Sequence, residues 1–253
     1  MAGTTLTTQT DDRGVATLIL NRPEKANAID RTLLVLLRDT LQDVAASSSV
    51  RIVVLRGAGK HFCAGADLGD LRSGDTKATV PELCEALDRL PKPTICVVHG
   101  ACVGAGLALA ACCDTVIATR DAHFSIPEVR LGIAPAPLMP VMVRACGERF
   151  LRRHLLSGGR FDSLEAHRAG LVHEICDSSD LEGMVAQSID DYLRAAPGAV
   201  RAAKVLLQPS SRMDRAHSSR ELEEIFEKMS TSPEAKEGLA SFRERRSPAW
   251  YPG

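Results

Sequence analysis

Two glycine-rich turns are the stretches of this chain whose residue types and spacing could stabilise negative charge. The first runs over residues 57–68, GAGKHFCAGADL, after the apolar stretch 51–56. The second, residues 99–106 (HGACVGAG), follows the apolar run 94–98 and precedes small apolar residues typical of a tightly packed helix. Glycines let a ligand approach the backbone, and a helix N-terminus carries about half a positive charge. Together the turns could supply the two N–H donors of an oxyanion hole.

The second turn has two other interpretations. Gly104 and Gly106 fit the start of the dinucleotide fingerprint G-x-G-x-x-G/A, but the third position is Leu109, which would crowd the contact between helix and strand. Close packing of a small-residue helix on a sheet is the other interpretation. Residues 94–114 taken alone favour packing, whereas the two similar turns taken together favour the oxyanion hole.

Glu128 is the carboxylate best suited to move a proton. It follows Pro127 within residues 122–140, a mainly apolar segment with four prolines. Burial there would raise its pKa and suit a general base or acid near neutral pH. The alternative is an ion pair with Arg130, which would be favoured if the glycine turns were absent. Asp67 could also be a base but is more typical of a helix cap, and Asp114 is expected to satisfy buried backbone groups.

The pattern of strands and helices that must position these residues predicts an α/β protein. Strands are predicted at residues 15–20, 51–56, 94–98, 115–118 and 171–175. Asp30 is predicted to cap a helix whose apolar face contains Leu33, Leu34, Leu37, Leu41 and Val44. A polar loop is predicted over residues 68–79 and an irregular wall over residues 122–140. Helices dominate after Pro140, including one over residues 163–169 capped by Asp162.

The composition narrows the possible functions. A net charge of −1 and an aromatic content of 4% argue against nucleic-acid binding. Most of the eight cysteines lie in apolar runs and none forms a C-x-x-C pair, which predicts buried, reduced thiols and no structural zinc. The histidines share no metal spacing. The polar residues 1–14 lack a signal-peptide pattern, and the apolar run 101–113 is too short to span a bilayer, so a cytoplasmic protein without a membrane segment is expected.

With both turns and Glu128 in view, the chain resembles the enoyl-CoA hydratase/isomerase (crotonase) superfamily. The resemblance rests on motifs in order along nearly the whole chain: NRPEKANAI at 21–29, KHFCAGADL at 60–68, HGACVGAGLALAACCD at 99–114, FSIPEVRLGIAP at 124–135 and EGLASFRERRSPAW at 237–250. It implies a spiral of ββα repeats over residues 1–195. It also implies a C-terminal helical region, residues 196–253, that forms homotrimers or dimers of trimers.

The resemblance also implies roles for individual residues. The N–H groups of Ala66 and Ala105 would hold the thioester oxygen, and Glu128 would be the catalytic acid–base group. The acyl-CoA thioester would be the substrate, so no separate cofactor and no metal are expected. The residues expected to bind CoA and the substrate are Lys25, Ala26, Ala64, Gly65, Asp67, Leu68, Gly104, Phe242 and Trp250.

The chain departs from the two-glutamate hydratases at one position, because Ala108 stands where they have their first glutamate. Ala105 also replaces a glycine of the family, although its N–H remains. The stretch 128–136 and GERFLRR at 147–153 are similar to the branch that includes the methylglutaconyl-CoA hydratases, whose members can also lack the first glutamate. The expected reaction is addition of water to a 2-enoyl-CoA. The alternatives are an enoyl-CoA delta-isomerase that uses Glu128 alone and a non-catalytic acyl-CoA-binding protein.

Overall fold

The computed structural model describes residues 4–71, 78–207 and 219–253. The chain divides into two compact units, Met1–Ser188 and Ile189–Gly253. Both glycine turns and Glu128 belong to the first unit. Within the described residues, no helix combines the length and the apolar character that crossing a membrane requires.

The described residues of the first unit form nine strands: β1 Leu6–Thr10, β2 Val15–Leu20, β3 Ile52–Gly57, β4 Thr94–Val98, β5 Ala101–Val103, β6 Thr115–Thr119, β7 His123–Ser125, β8 Arg160–Asp162 and β9 Glu174–Cys176. Six of them make one sheet in the order β1-β2-β3-β4-β6-β9. β1 is antiparallel to β2, and the other neighbouring pairs of this sheet are parallel. All five residues of β4 are buried, as expected for a central parallel strand.

A second, smaller sheet carries part of the candidate site. It contains three strands in the order β5-β7-β8. β5 pairs in parallel with β7, so that Val103 lies opposite Ser125, and β7 pairs antiparallel with β8. Each of these strands is three residues long, and β5 lies within the second glycine turn, directly before Gly104.

The described residues up to Arg194 also form helices α1 Arg31–Ala46, α2 Leu68–Leu71, α3 Val80–Asp88, α4 Ala105–Ala111, α5 Met139–Cys146, α6 Glu148–Ser157, α7 Ser163–Arg168 and α8 Leu181–Arg194, the last of which continues into the second unit. The predicted cap of α1 is confirmed, because the Asp30 side chain accepts a hydrogen bond from the Leu33 N–H at 2.8 Å. The five apolar residues predicted for one face of α1 are all buried. Asp162 caps α7 in the same way, through the Glu165 N–H.

The second unit is helical, with α9 at Pro197–Leu207, α10 at Ser219–Ser230 and α11 at Pro233–Glu244. Ser232 caps α11 by accepting a hydrogen bond from the Ala235 N–H. The Glu234 carboxylate accepts hydrogen bonds from the N–H groups of Gly198 and Ala199, which joins α11 to the first turn of α9. Trp250 donates its indole N–H to the Arg194 carbonyl at 2.9 Å.

Several predicted elements are wrong in position or type. The strand predicted at 171–175 is at Glu174–Cys176 instead, because Leu171 and Val172 are buried in the core before the strand begins. Leu68–Leu71 is a short helix within the predicted loop, and residues 72–77 of that loop lie outside the described residues. The predicted irregular wall contains β7 and two 3-10 helices, Pro127–Leu131 and Ala136–Leu138.

Candidate active site

The second glycine turn brings Glu128 against the start of α4. The Gly104 N–H donates to the Ser125 carbonyl at 3.0 Å, which extends the pairing of β5 with β7 by one residue. Gly104 has φ +51°, a conformation that favours glycine. A Cβ at this position would lie 2.4 Å from Glu128 Oε1. Gly104 is therefore the residue that lets the carboxylate reach the turn.

The first glycine turn contacts the second. Cys63 pairs with Cys102 of β5, with hydrogen bonds from the Cys63 N–H to the Ala101 carbonyl and from the Val103 N–H to the Cys63 carbonyl. A Cβ on Gly65 would lie 3.1 Å from the Val103 carbonyl oxygen and 3.7 Å from the Ala105 nitrogen. The two turns are thus neighbours, as an oxyanion hole built from both of them requires.

Hydrogen bonds fix the direction of the Ala66 N–H. The Ile29 N–H donates to the Gly65 carbonyl at 2.8 Å, and the Asp67 N–H donates to the Ile29 carbonyl at 2.9 Å. Ile29 and Ala66 therefore form a parallel bridge, in which Ile29 bonds to the two neighbours of Ala66. The Ala66 N–H consequently points away from Ile29. No residue in the described part of the chain accepts a hydrogen bond from it.

The Ala105 N–H also lacks an acceptor among the described residues, but for a different reason. Ala105 is the first residue of α4, so its N–H has no acceptor within the helix. No acceptor for it is found among residues 4–71, 78–207 and 219–253. Two neighbouring turns therefore each present a main-chain donor that has no acceptor in the described structure.

The Glu128 carboxylate has the properties of a proton acceptor. Its Oε2 is buried and makes no hydrogen bond to any described residue. Burial raises the pKa of Glu128, and a smaller opposing effect comes from its own backbone N–H. The alternative ion pair with Arg130 is not formed, because Arg130 directs its Nε to the Ser157 carbonyl at 2.9 Å. These features suit a group that takes up and releases a proton.

Ala108 lies one turn into α4, where its N–H donates to the Gly104 carbonyl. Its side chain is fully buried, with no surface accessible to water. Ala108 cannot ionise, so α4 supplies no carboxylate at the position where the two-glutamate hydratases have their first glutamate.

Six of the residues predicted to bind CoA lie along or beside the first turn. Lys25 ends the short 3-10 helix Pro23–Lys25 and is exposed. The Ala26 carbonyl accepts a hydrogen bond from the Ala64 N–H at 2.9 Å, which joins this loop to the turn. Gly65 and Asp67 follow Ala64, and Leu68 begins α2. Their role in binding CoA remains a prediction.

Phe242 and Trp250 lie in the second unit. Phe242 is on α11 and is 83% exposed. Trp250 packs against Gly238, where a Cβ would lie 3.2 Å from the indole ring. Trp250 also lines a mainly apolar cavity of about 560 Å³ together with Phe226, Met229 and Leu239. The contact of Phe242 and Trp250 with a nucleotide remains a prediction.

Sequence reasoning missed two polar residues beside the first turn, Arg22 and Asn27. The Arg22 guanidinium forms ion pairs with Asp30 at 3.1 Å and with Asp67 at 3.5 Å. Asn27 is fully buried and links three segments by hydrogen bonds. The many polar residues in the stretch 21–29 could have indicated a hydrogen-bonded loop. The sequence does not show the partners of Arg22 and Asn27, because most of them are distant in the chain.

Comparison with known proteins identifies the family. The family model described as enoyl-CoA hydratase/isomerase matches residues 10–252. The chain belongs to the enoyl-CoA hydratase/isomerase family. This membership confirms the resemblance to the crotonase superfamily, and enzymes of this family process acyl-CoA thioesters.

The relatives include both hydratases and isomerases. The chain is 32% identical over 239 residues to 2,3-dehydroadipyl-CoA hydratase of Escherichia coli K12, an alignment that covers 92% of this chain and 94% of that protein. It is 31% identical over 257 residues to 1,2-epoxyphenylacetyl-CoA isomerase of the same organism, covering 94% and 95% of the two chains. Both reactions are therefore represented among the relatives of this chain.

Solved structures confirm the predicted fold. Pseudomonas aeruginosa AtuE superposes with a TM-score of 0.89 at 34% identity, over 98% of this chain and 99% of that one. An enoyl-CoA hydratase from Shewanella pealeana superposes with a TM-score of 0.87, also at 34% identity, over 97% of this chain and 96% of that one. The protein has the α/β crotonase fold with a C-terminal helical region.

Proposed function

We propose that this protein adds water to the double bond of a 2-enoyl-CoA thioester and that Glu128 transfers the proton. The observation that carries the proposal is the buried Glu128 Oε2, which has no hydrogen-bond partner among the described residues. Glu128 lies against the same turn that presents the Ala105 N–H, and this turn contacts the turn that presents the Ala66 N–H. A carboxylate and two donors at one place suit chemistry next to a thioester carbonyl.

The reaction would proceed through an enolate. The Glu128 carboxylate takes a proton from water while the water oxygen bonds to C3, and the electrons of the C2–C3 double bond move to the thioester oxygen. The N–H groups of Ala66 and Ala105 stabilise the negative charge on that oxygen, and one such donor is worth roughly 3–4 kcal/mol. Glu128 then gives the proton to C2, which restores the carbonyl and completes the addition of one water. The raised pKa of Glu128 helps it to hold the proton between the two steps.

The named relatives support hydration. Besides the E. coli hydratase, a mevalonyl-coenzyme A hydratase of Aspergillus fumigatus is 30% identical over 244 residues, covering 93% of this chain. We infer the same class of reaction for this chain. The narrower assignment to the methylglutaconyl-CoA branch remains a prediction.

Isomerisation of a 3-enoyl-CoA is a second candidate, and Ala108 is the observation that favours it. Moving a double bond requires only one carboxylate, which removes a proton from C2 and returns it to C4. Ala108 cannot ionise, so α4 supplies no second carboxylate to position a water molecule. Glu128 and the two main-chain donors would serve isomerisation equally well.

The purified protein should be offered a 2-enoyl-CoA, a 3-enoyl-CoA and methylglutaconyl-CoA, and the products should be identified by mass. Hydration adds the mass of one water, whereas isomerisation leaves the mass unchanged and is detected by the ultraviolet absorbance of the double bond newly conjugated with the thioester. We expect hydration of a 2-enoyl-CoA that Glu128→Gln abolishes. Tight binding of CoA thioesters without turnover of any of them would instead support the non-catalytic alternative.

We also propose that the protein assembles as a trimer or a dimer of trimers through residues 196–253. The family resemblance supports this assembly. Among the residues of this region whose side chains the structure describes, five large apolar ones are exposed in the single chain: Val205, Leu207, Phe226, Leu239 and Phe242. Light scattering on the purified protein would test the assembly, and a monomer at micromolar concentration would contradict it.

A further inference from the structure

Asn27 is a buried polar residue in the loop that supports the first glycine turn. Its exposed fraction is 0%, although its side chain is an amide. Its backbone has φ +55°, and the preceding Ala26 has φ +48°. Asparagine tolerates this left-handed conformation better than most residues, but alanine does not. Two consecutive residues in this conformation need other contacts to hold them.

The Asn27 side chain supplies those contacts. Its Oδ1 accepts a hydrogen bond from the Arg22 N–H at 2.9 Å. Its Nδ2 donates to the Ala58 carbonyl at 2.8 Å and to the His61 carbonyl at 2.7 Å. The two carbonyls require donors and the N–H requires an acceptor, so only one orientation of the amide satisfies all three groups. Asn27 thereby ties its own loop to residues 58–61 at the start of the first turn.

The backbone around Asn27 in turn holds the residues on both sides of Ala66. The Ala26 carbonyl accepts from the Ala64 N–H, and Ile29 is bonded to Gly65 and Asp67. The Cys63 thiol donates to the Asn27 carbonyl at 3.2 Å. Hydrogen bonds to this loop therefore fix Ala64, Gly65 and Asp67 and leave the Ala66 N–H directed away from it.

We propose that Asn27 is a positioning residue for the oxyanion hole, because its side chain fixes the loop that aims the Ala66 N–H. The inference rests on the proposed function only in assigning the Ala66 N–H to a thioester oxygen. The side chain of Asn27 takes no part in the chemistry itself. Its loss would move a donor without removing it.

Asn27→Gly tests this role, because glycine keeps the left-handed backbone and removes all three side-chain hydrogen bonds. Lys92→Met is a matched control. Lys92 is 7% exposed and donates to the Ser47 and Val50 carbonyls, which precede β3, whereas Asn27 bonds to Ala58, just after β3. The two variants therefore loosen opposite ends of one strand.

We expect Asn27→Gly to lower kcat by about tenfold to a hundredfold, since small misplacement of a catalytic group has effects of this size. The carbonyl stretch of a bound saturated acyl-CoA should also shift less from its value in water than it does in the wild type. Lys92→Met should lose stability without either effect. Equal kcat losses in the two variants, or an unchanged carbonyl stretch in Asn27→Gly, would overturn the proposal.

If Asn27→Gly does not fold, Asn27→Asp serves instead, because it keeps the acceptor for Arg22 and loses both donors. The kcat loss relative to Lys92→Met and the shift of the carbonyl stretch then test the role of Asn27 in the same way. If the wild type turns over no enoyl-CoA, the proposed function fails but the role of Asn27 is still measurable. The backbone amide NMR signals of residues 64–67 should move in the Asn27 variant and not in Lys92→Met, and unmoved signals would refute the role.

Discussion

The two ends of α4 each have a carboxylate nearby, and the surroundings of the two carboxylates differ. Beyond the C-terminal end, Asp114 Oδ2 accepts hydrogen bonds from the Thr94 N–H at 2.8 Å and from the Thr94 hydroxyl at 2.9 Å. The Asp114 N–H donates back to the Thr94 hydroxyl oxygen at 2.8 Å. At the N-terminal end, Glu128 Oε2 is buried and accepts no hydrogen bond from the described residues.

Under the proposed function, this difference separates a structural carboxylate from the one that transfers the proton. Donors around Asp114 satisfy its charge and hold the end of α4 to the start of β4. Glu128 Oε2 has no such donor among the described residues, and burial raises the pKa of the Glu128 carboxyl. Asp114 thus holds α4 in place, and Glu128 is the carboxylate that we propose for proton transfer at the glycine turns.

Of the changes that test this difference between the two carboxylates, Glu128→Gln should lower activity the most. We expect activity to fall by about 10²–10⁴, the usual contribution of a general acid–base group. Stability near neutral pH should not fall, because the variant removes a charge that burial disfavours. Steady-state kinetics and urea unfolding measure the two effects. Full turnover in Glu128→Gln would show that another group moves the proton.

Gly104→Ala should break the contact between the turn and the carboxylate. The added Cβ would meet Glu128 Oε1 at 2.4 Å, so the carboxylate or the turn must move. We expect kcat to fall by about 10²-fold, as for a displacement of about 1 Å. Gly170→Ala is the control, because Gly170 also has a positive φ, +87°, and a Cβ there meets its nearest neighbour at an ordinary 3.5 Å. A similar loss of kcat in both variants would contradict a specific role for Gly104.

Asp114→Ala, beyond the C-terminal end of α4, should lower stability and leave catalysis unchanged. Thr94 is 1% exposed, so its N–H would lose a carboxylate acceptor in a place that water hardly reaches. We expect a loss of about 1–3 kcal/mol in the free energy of unfolding, with kcat unchanged. Denaturant unfolding and kinetics on the same preparation test this. A large fall in kcat would remove the distinction between the two carboxylates.

The smallest expected effect is a change of kcat/KM and of stability with pH as Glu128 titrates. The pKa of Glu128 is raised above its ordinary value of 4.5, and the general base must be ionised, so kcat/KM should rise with pH through the raised value. Stability should change in the opposite sense. The folded state holds the Glu128 proton more tightly than the unfolded state, so this contribution to stability falls as pH rises from 4.5 to the raised pKa. Both changes should be absent in Glu128→Gln, and a profile rising only through the ordinary value would argue against burial as the cause.

Local patterns in the sequence predicted the parts of the fold that depend on local order. The apolar spacing of α1 and the continuous apolar run of β4 each identify one element, and Asp30 marks a helix start without reference to the rest of the chain. The strands β5, β7 and β8 were missed, since three residues are too few to show a period. The contact of Cys63 with Cys102, which joins the two glycine turns, is likewise a long-range pairing that no local pattern encodes.

In the candidate site, too, the residues marked by local patterns could be predicted, and those that depend on distant contacts could not. Glu128 could be singled out because Pro127 and an apolar segment surround it, and the raised pKa expected from burial is confirmed. Asn27 could not, because its partners at Ala58 and His61 are more than thirty residues away in the chain. The direction of the Ala66 N–H also depends on the bridge to Ile29, a tertiary contact.

Deuterium exchange at C2 of a saturated acyl-CoA in heavy water tests the central claim most directly, because it isolates proton transfer next to a stabilised thioester enolate. The wild-type protein should exchange the C2 protons without any other change in the compound, and Glu128→Gln should exchange them at least about 10² times more slowly. An equal rate of exchange in the two proteins, or none in the wild type with the acyl-CoA bound, would contradict the account.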